Sequence, residues 1–297
     1  MKLQSTIAFL GAALLALPLT SPAQPSAHYV PGVEGIKGAS LPPPGIYLRD
    51  YNVGYYSDQL NDSSGNSINS ANARAYIYAN VPRVIWITDW QVLGGNIGVD
   101  ALVPLQYTSL RVTTPKGLFD DRTFGVGDAF AEGTWSRHWK QLDVSGGYGA
   151  WAPTGSSSGP NPTRAGLGYW THMFTAGATY YPDADKKWSV SALNRYEINM
   201  DHDNTSAGQA WTLEWGLSRA VVSTIEAGVA GYYQQQVTST RTPTGSNPIN
   251  RVAGIGPEIT AVCPKLATFV SLRYAYEFMA ENRLQGHTLA LTITKRF

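Results

Sequence analysis

The stretch Asn96-Ile97-Gly98-Val99-Asp100-Ala101-Leu102-Val103-Pro104-Leu105-Gln106 decides the fold. Ile97, Val99, Ala101, Val103 and Leu105 fall on one side of it. Asn96, Gly98, Asp100, Leu102, Pro104 and Gln106 fall on the other. That is a period of two, which a strand satisfies and a helix of period 3.6 does not. The same alternation recurs outward in both directions. Trp211, Leu213, Trp215 and Leu217 alternate with Thr212, Glu214, Gly216 and Ser218. Ala253, Ile255, Pro257, Ile259 and Ala261 alternate with Gly254, Gly256, Glu258 and Thr260. The chain closes with Leu289, Leu291, Ile293 and Phe297 set against Thr288, Ala290, Thr292, Thr294 and Arg296.

Twelve such segments can be marked: 46–56, 72–87, 96–107, 125–135, 142–152, 168–181, 188–199, 209–217, 224–237, 250–262, 266–279 and 286–297. Most are close to the roughly 9–11 residues that cross a bilayer as a tilted strand. Polar, mostly long connections (57–71, 108–124, 153–167, 200–208, 238–249, 280–285) alternate with shorter ones (88–95, 136–141, 182–187, 218–223 and Pro264-Lys265). Long loops at one end and short turns at the other are the pattern of an antiparallel outer-membrane β-barrel of about 12 strands. Its even strand count puts both ends of the barrel on the short-turn side, facing the periplasm.

Composition agrees. Charged residues are 14% of the 297, against about 25% in soluble domains. Aromatics reach 11%, with 9 Trp and 17 Tyr, and many sit near strand ends, as Tyr55, Tyr56, Trp86, Trp90, Trp135, Trp139, Tyr180, Tyr181, Trp188 and Trp211 do. Amphipathic rings there form the girdles of a membrane barrel. A net charge of +1 gives no field for nucleic acid. Cys263 is alone, so no cysteine-based metal site arises within the chain.

The N-terminus reads as an export signal over 1–23. Lys2 precedes an apolar run from Ile7 to Leu19, and Ser21-Pro22-Ala23 suits cleavage before Gln24. Residues 24–44 are rich in Pro, Gly and Ser and end in Pro42-Pro43-Pro44, which cannot feed a sheet ladder. They form an irregular lead-in, lying in the periplasm or tucked into the lumen; the pattern does not choose between the two. Residues 45–297 form the barrel. Leu289, Leu291, Ile293 and Phe297 resemble the signal read by the outer-membrane assembly machinery, with Lys295 departing from it. The expected partners are therefore the lipid bilayer, that machinery and a small-molecule solute, in the outer membrane of a bacterium.

Several short motifs fit the order of one family. They run from Pro43-Pro44-Gly45-Ile46-Tyr47 with Tyr55-Tyr56, through Trp86-Ile87-Thr88-Asp89, Gly94 to Gly98 with Val103-Pro104, Gly125-Val126-Gly127-Asp128 and Ala152-Pro153-Thr154-Gly155. They continue with Gly177-Ala178-Thr179-Tyr180-Tyr181, Gly228 to Tyr232 with Gln235, Gly256-Pro257-Glu258, and Tyr276-Glu277-Phe278 with Ala280-Glu281-Asn282. Over about 38–297 the chain resembles the meta-pathway phenol-degradation family of outer-membrane barrels. The resemblance implies transport of small, aromatic or hydrophobic organic compounds, with no cofactor.

Chemistry-bearing motifs are few. Gly155-Ser156-Ser157-Ser158-Gly159 has the letters of a nucleophile elbow but lies in a Ser/Gly/Pro loop without a following helix. The histidines His28, His138, His172, His202 and His287 are scattered without metal-ligand spacing. If the apolar faces meet lipid, Asp100, Asp128, Arg195, Glu197, Glu214, Glu226, Tyr232, Glu258, Arg273 and Glu277 point inward. They then either line a passage or form an internal ion-pair network. Tyr76 and Tyr78 are expected to face inward with Tyr232, either as packing or as an aromatic path for an apolar solute. Three functions compete on this sequence: a non-enzymatic channel, a closed structural or surface-binding barrel plugged by 24–44, and an outer-membrane lipid-modifying enzyme built around His172.

Overall fold

In the computed structural model, described for residues 27–68, 72–115, 117–156 and 163–297, the chain is one closed antiparallel barrel. The export signal proposed for 1–23 lies outside the described residues, as does part of the Ser-Gly-Pro loop. The strands are β1 (Gly45–Leu60), β2 (Asn72–Val92), β3 (Gly95–Leu102), β4 (Leu105–Thr114), β5 (Gly117–Val126), β6 (Ala129–His138), β7 (Leu142–Ala152), β8 (Thr171–Tyr180), β9 (Trp188–Asn199), β10 (Ala210–Val222) and β11 (Ile225–Gln236). A two-residue pair, β12 (Arg241–Thr242) and β13 (Gly245–Ser246), decorates one loop. Then come β14 (Arg251–Cys263), β15 (Thr268–Glu281) and β16 (Leu284–Arg296).

Two wall segments are each broken once. Val103-Pro104 separates β3 from β4, and Gly127-Asp128 separates β5 from β6. Counting each broken pair as one, twelve segments span the wall. Closure is direct. β1 pairs with β2 on one side and β16 on the other, Tyr47 opposite Arg296, and the Phe297 amide donates to the Ile46 carbonyl at 2.9 Å. A closed sheet leaves no edge for lipid to meet.

The strands run further than their hydrophobic pattern predicts. The expected loop 108–124 is a hairpin extension, with β4 and β5 paired from Thr114–Gly117 down to Leu105–Val126. Leu110 and Val112 point into the barrel against Ala73 and Ala75, while Arg111, Asp120 and Arg122 face out. Above the membrane an outward face is polar, so this hairpin carries a loop's composition on a strand's geometry.

Tyr76 and Tyr78, expected inside, are outside and 49% and 40% exposed. The inward residues of β2 are instead Ala73, Ala75, Ile77, Ala79, Val81 and Arg83. The usual alternation is inverted here, because the lumen beside the long-loop half of β2 is itself apolar. One polar patch interrupts the outer wall at mid-strand. Asn52 and Asn80 donate to the two carboxylate oxygens of Asp50 at 2.9 and 2.8 Å, and the Tyr78 hydroxyl donates to Asn52 at 2.7 Å. Polar groups facing lipid are costly unless they satisfy one another, as these do.

Candidate functional site: a segment threaded through the lumen

Residues 27–44 run inside the barrel, the second of the two places open to them. An irregular segment carries backbone groups that no sheet ladder satisfies, so something must meet them. Here the wall does. Glu197 accepts the backbone N–H groups of His28 and Tyr29 at 2.9 and 3.0 Å. Glu258 accepts that of Ile36 at 2.7 Å. Ser191 Oγ accepts that of Ala39, whose carbonyl in turn accepts the Ser145 hydroxyl at 2.7 Å.

Side chains of the segment complete the attachment. The Tyr29 hydroxyl donates to Glu214 at 2.5 Å, and the Arg195 guanidinium lies 4.1 Å from the Tyr29 ring centre. His28 bridges Asp128 and Thr171, each at 2.9 Å, and stacks on Trp151. Lys37 meets Glu226 at 2.6 Å, and Ser40 donates to Asp143 at 2.8 Å.

Glu34 is the hub. Its carboxylate meets Arg83 at 2.9 Å, Arg49 at 3.1 Å and Arg195 at 3.3 Å, and accepts the Tyr51 hydroxyl at 3.2 Å. Its side chain is 5% exposed. Burial alone would raise its pKa, but Arg83, Arg195 and Arg49 outweigh burial and hold it at about 2. Burial lowers the pKa of His28 despite the opposing pull of Asp128.

Two glycines allow the close fit. Gly35 has φ +68, and a Cβ there would collide with Arg273 Nη1 and Glu258 Oε2. Gly32, at φ +84, lies flat against the Tyr232 ring. No side chain fits at either position without moving its neighbour.

The ten inward candidates all face the interior, with different partners. Asp128, Arg195, Glu197, Glu214, Glu226 and Glu258 touch residues 27–44 directly. Asp100 holds Arg83 by two bonds of 2.8 Å, which aims that guanidinium at Glu34. Arg273 pairs with Glu258 at 3.2 Å. Glu277 stands apart and accepts the hydroxyls of Tyr55 and Tyr232 at 2.9 and 3.2 Å. Asp128 has a further task at the β5/β6 break, where it accepts the amides of Gly155 and Leu167. Sequence reasoning missed Glu34, Arg49, Arg83 and His28. The available signal was a lone carboxylate in a Pro/Gly segment, a lone arginine on β1 and an arginine in the middle of β2.

The segment divides the lumen. On the long-loop side lies a cavity of about 320 Å³. Its wall is mostly apolar, with Val53, Ile77, Val81, Phe130, Trp151 and Met173, but Arg83, Asp128, Arg195, Glu277 and Arg283 also reach it, and Tyr29, Val30 and Val33 of the segment form its floor. On the short-turn side lies a second cavity of about 420 Å³, lined by charged and hydroxyl groups such as Arg49, Asp100, Glu226, Glu258 and Ser271.

His172 lies on the outer wall, with its Nδ1 2.7 Å from the Tyr148 hydroxyl and its ring stacked on Tyr148. Leu289, Leu291, Ile293 and Phe297 face outward in a row, alternating along β16.

A closed twelve-stranded antiparallel barrel with an apolar, aromatic outer wall defines a transmembrane β-barrel of the outer-membrane type. Over residues 57–293 the chain matches the family described as "Putative MetA-pathway of phenol degradation", and it belongs to that family. No curated protein matches it. Among solved structures it is similar to the COG4313 outer membrane channel from Pseudomonas putida F1, at 12% identity and a TM-score of 0.76. That match covers 91% of this chain and 100% of the other. The transport unit of the autotransporter AIDA-I from Escherichia coli matches more loosely, at 10% identity and a TM-score of 0.49, covering 85% and 90%.

Proposed function

We propose that this protein is a non-enzymatic outer-membrane channel for small aromatic or hydrophobic organic compounds, and that residues 27–44 hold it shut in the state described. The observation that carries the reading is the apolar cavity on the long-loop side. A passage for sugars or ions needs polar groups along its whole length. This cavity is instead mostly apolar and aromatic, with charged groups such as Arg83, Arg195, Glu277 and Arg283 only at intervals along it, which suits a solute that gains by leaving water. Family membership supports the same solute class, and the fold of the Pseudomonas channel supports the same architecture.

The plugged lumen also favours a second reading, a closed structural barrel. The two separate on deletion of residues 24–42. In the channel reading, liposomes with the protein lacking residues 24–42 take up a small charged aromatic such as benzenesulfonate, which crosses a protein-free bilayer slowly, faster than liposomes with the intact protein do and faster than a sugar of similar size. Liposomes as impermeable to benzenesulfonate with either protein as without protein would sink the channel reading. An enzymatic reading built on His172 has less support, because its Nδ1 is engaged by a tyrosine hydroxyl. His172→Ala is expected to leave uptake unchanged.

A further inference from the structure

A second site lies on the outer wall, at the rim that carries the long loops. The register of β2, β4 and β5 sets their outward residues in rows. Tyr78, Tyr107 and Phe124 form one row. The next row up is Tyr76, Ser109 and Arg122, and the row above that is Arg74, Arg111 and Asp120. Each row climbs about 6.6 Å along the strand. The lower rows are aromatic and open to the outside, with Phe124 70% exposed and the Tyr76 and Tyr107 rings tilted against each other at 6.4 Å between centres. Aromatic rings mark the bilayer interface, so the arginines stand at headgroup height.

Their arrangement is unfavourable alone. Arg74 and Arg111 are direct cross-strand partners, and like charges so placed repel. Asp120 is the only carboxylate in ion-pair range among the described residues, at 3.9 Å from both Arg111 and Arg122. It cannot neutralise three guanidiniums. Arg111 and Arg122 remain 57% and 66% exposed. Planar guanidiniums on adjacent strands match the oxygens of a phosphate, which each can grip with two bonds.

We propose that Arg74, Arg111 and Arg122 bind the phosphate groups of a phosphorylated glycolipid of the outer leaflet, whose acyl chains lie on the Tyr76, Tyr107 and Phe124 rows. The charge of the ligand matches the rim and its apolar part matches the wall beneath. This site is independent of what passes through the lumen.

The test uses the full-length protein in detergent micelles, with lipopolysaccharide and its dephosphorylated form as probes, read by native mass spectrometry. The wild type is expected to retain the phosphorylated lipid and to bind the dephosphorylated one about tenfold or more weaker. The R74Q/R111Q/R122Q variant is expected to lose the same preference, while K140Q/K265Q, at the opposite rim, keeps it. Because the triple variant could fail to fold, the comparison of the two lipids on the wild type stands by itself. Equal retention of both lipids, or of neither, by the wild type overturns the proposal. So does an undiminished phosphate preference in a folded triple variant.

Discussion

At the scale of single residues, Glu34 controls how firmly the lumen is held shut. Three arginines converge on it, Arg83 and Arg195 buried and Arg49 half-buried, and removing its charge leaves them facing one another. Breaking a buried ion cluster by removing one partner costs roughly 3–5 kcal/mol, about two to four orders of magnitude in the docking equilibrium. Glu34→Gln is therefore expected to raise open-state occupancy in single-channel recordings; an unchanged trace would show that the segment is held elsewhere. Gly35→Ala is expected to act in the same direction, since its Cβ would displace the Arg273–Glu258 pair that meets the Ile36 amide. The pH response follows from two groups that both weaken docking on acidification, in different pH windows. Glu34 has its pKa depressed when docked, so its contribution is complete above the carboxylate's free value and is lost only as pH falls toward about 2. His28 also has its pKa lowered when docked, so the free segment takes up the proton and docking weakens as pH drops below about 6.5, the free imidazole value. Acidification from pH 7.5 to 5 should thus loosen the His28 end while Glu34 stays bound. A spin label at a single cysteine near residue 28, in a Cys263→Ser background, would report it, and His28→Phe should abolish the change.

At the scale of elements, the β4–β5 hairpin shows why alternation misreads a rim. Inside, Leu110 and Val112 pack on Ala73 and Ala75, with Leu60 and Leu284 against them. Outside, the polar residues meet water and headgroups. A segment polar on its outward face looks like a loop to any pattern that expects lipid there. Leu110→Ala is expected to destabilise this extension by about 2–5 kcal/mol, the usual range for truncating a buried leucine. Faster protease cleavage between residues 105 and 126 would register it, and unaltered cleavage would place the hairpin outside the cooperative unit. The breaks at Val103-Pro104 and Gly127-Asp128 belong to this scale too. Proline offers no amide to the ladder, and Asp128 turns its carboxylate to the Gly155 and Leu167 amides and to His28.

At the scale of the whole molecule, barrel and segment form one electrostatic unit. Glu197, Glu214, Glu226 and Glu258 come from four different strands and converge on one irregular stretch. Deleting residues 24–42 removes their donors and leaves carboxylates in a narrow lumen without them. The deleted protein is expected to keep its β-sheet circular dichroism, because the wall closes through β1 and β16 without the segment. Its thermal midpoint in detergent is expected to fall at neutral pH. A midpoint equal to that of the intact protein would show that the segment is a passenger in the lumen and not a part of its packing.

The amino-acid sequence by itself determined the barrel, its twelve wall segments and the inward direction of Asp100, Glu214 and Glu258. Each of these follows from period-two alternation, which is local and survives in the linear chain. Only the tertiary structure decided that residues 27–44 lie in the lumen, that Glu34 gathers Arg49, Arg83 and Arg195, and that Tyr76 and Tyr78 face outward. Those features depend on which groups meet across a closed cylinder, at sequence separations from 15 residues for Glu34 and Arg49 to 169 for His28 and Glu197. The partner that satisfies a buried charge leaves no periodic mark beside it in the chain, so charge pairing is settled in space and alternation along the strand.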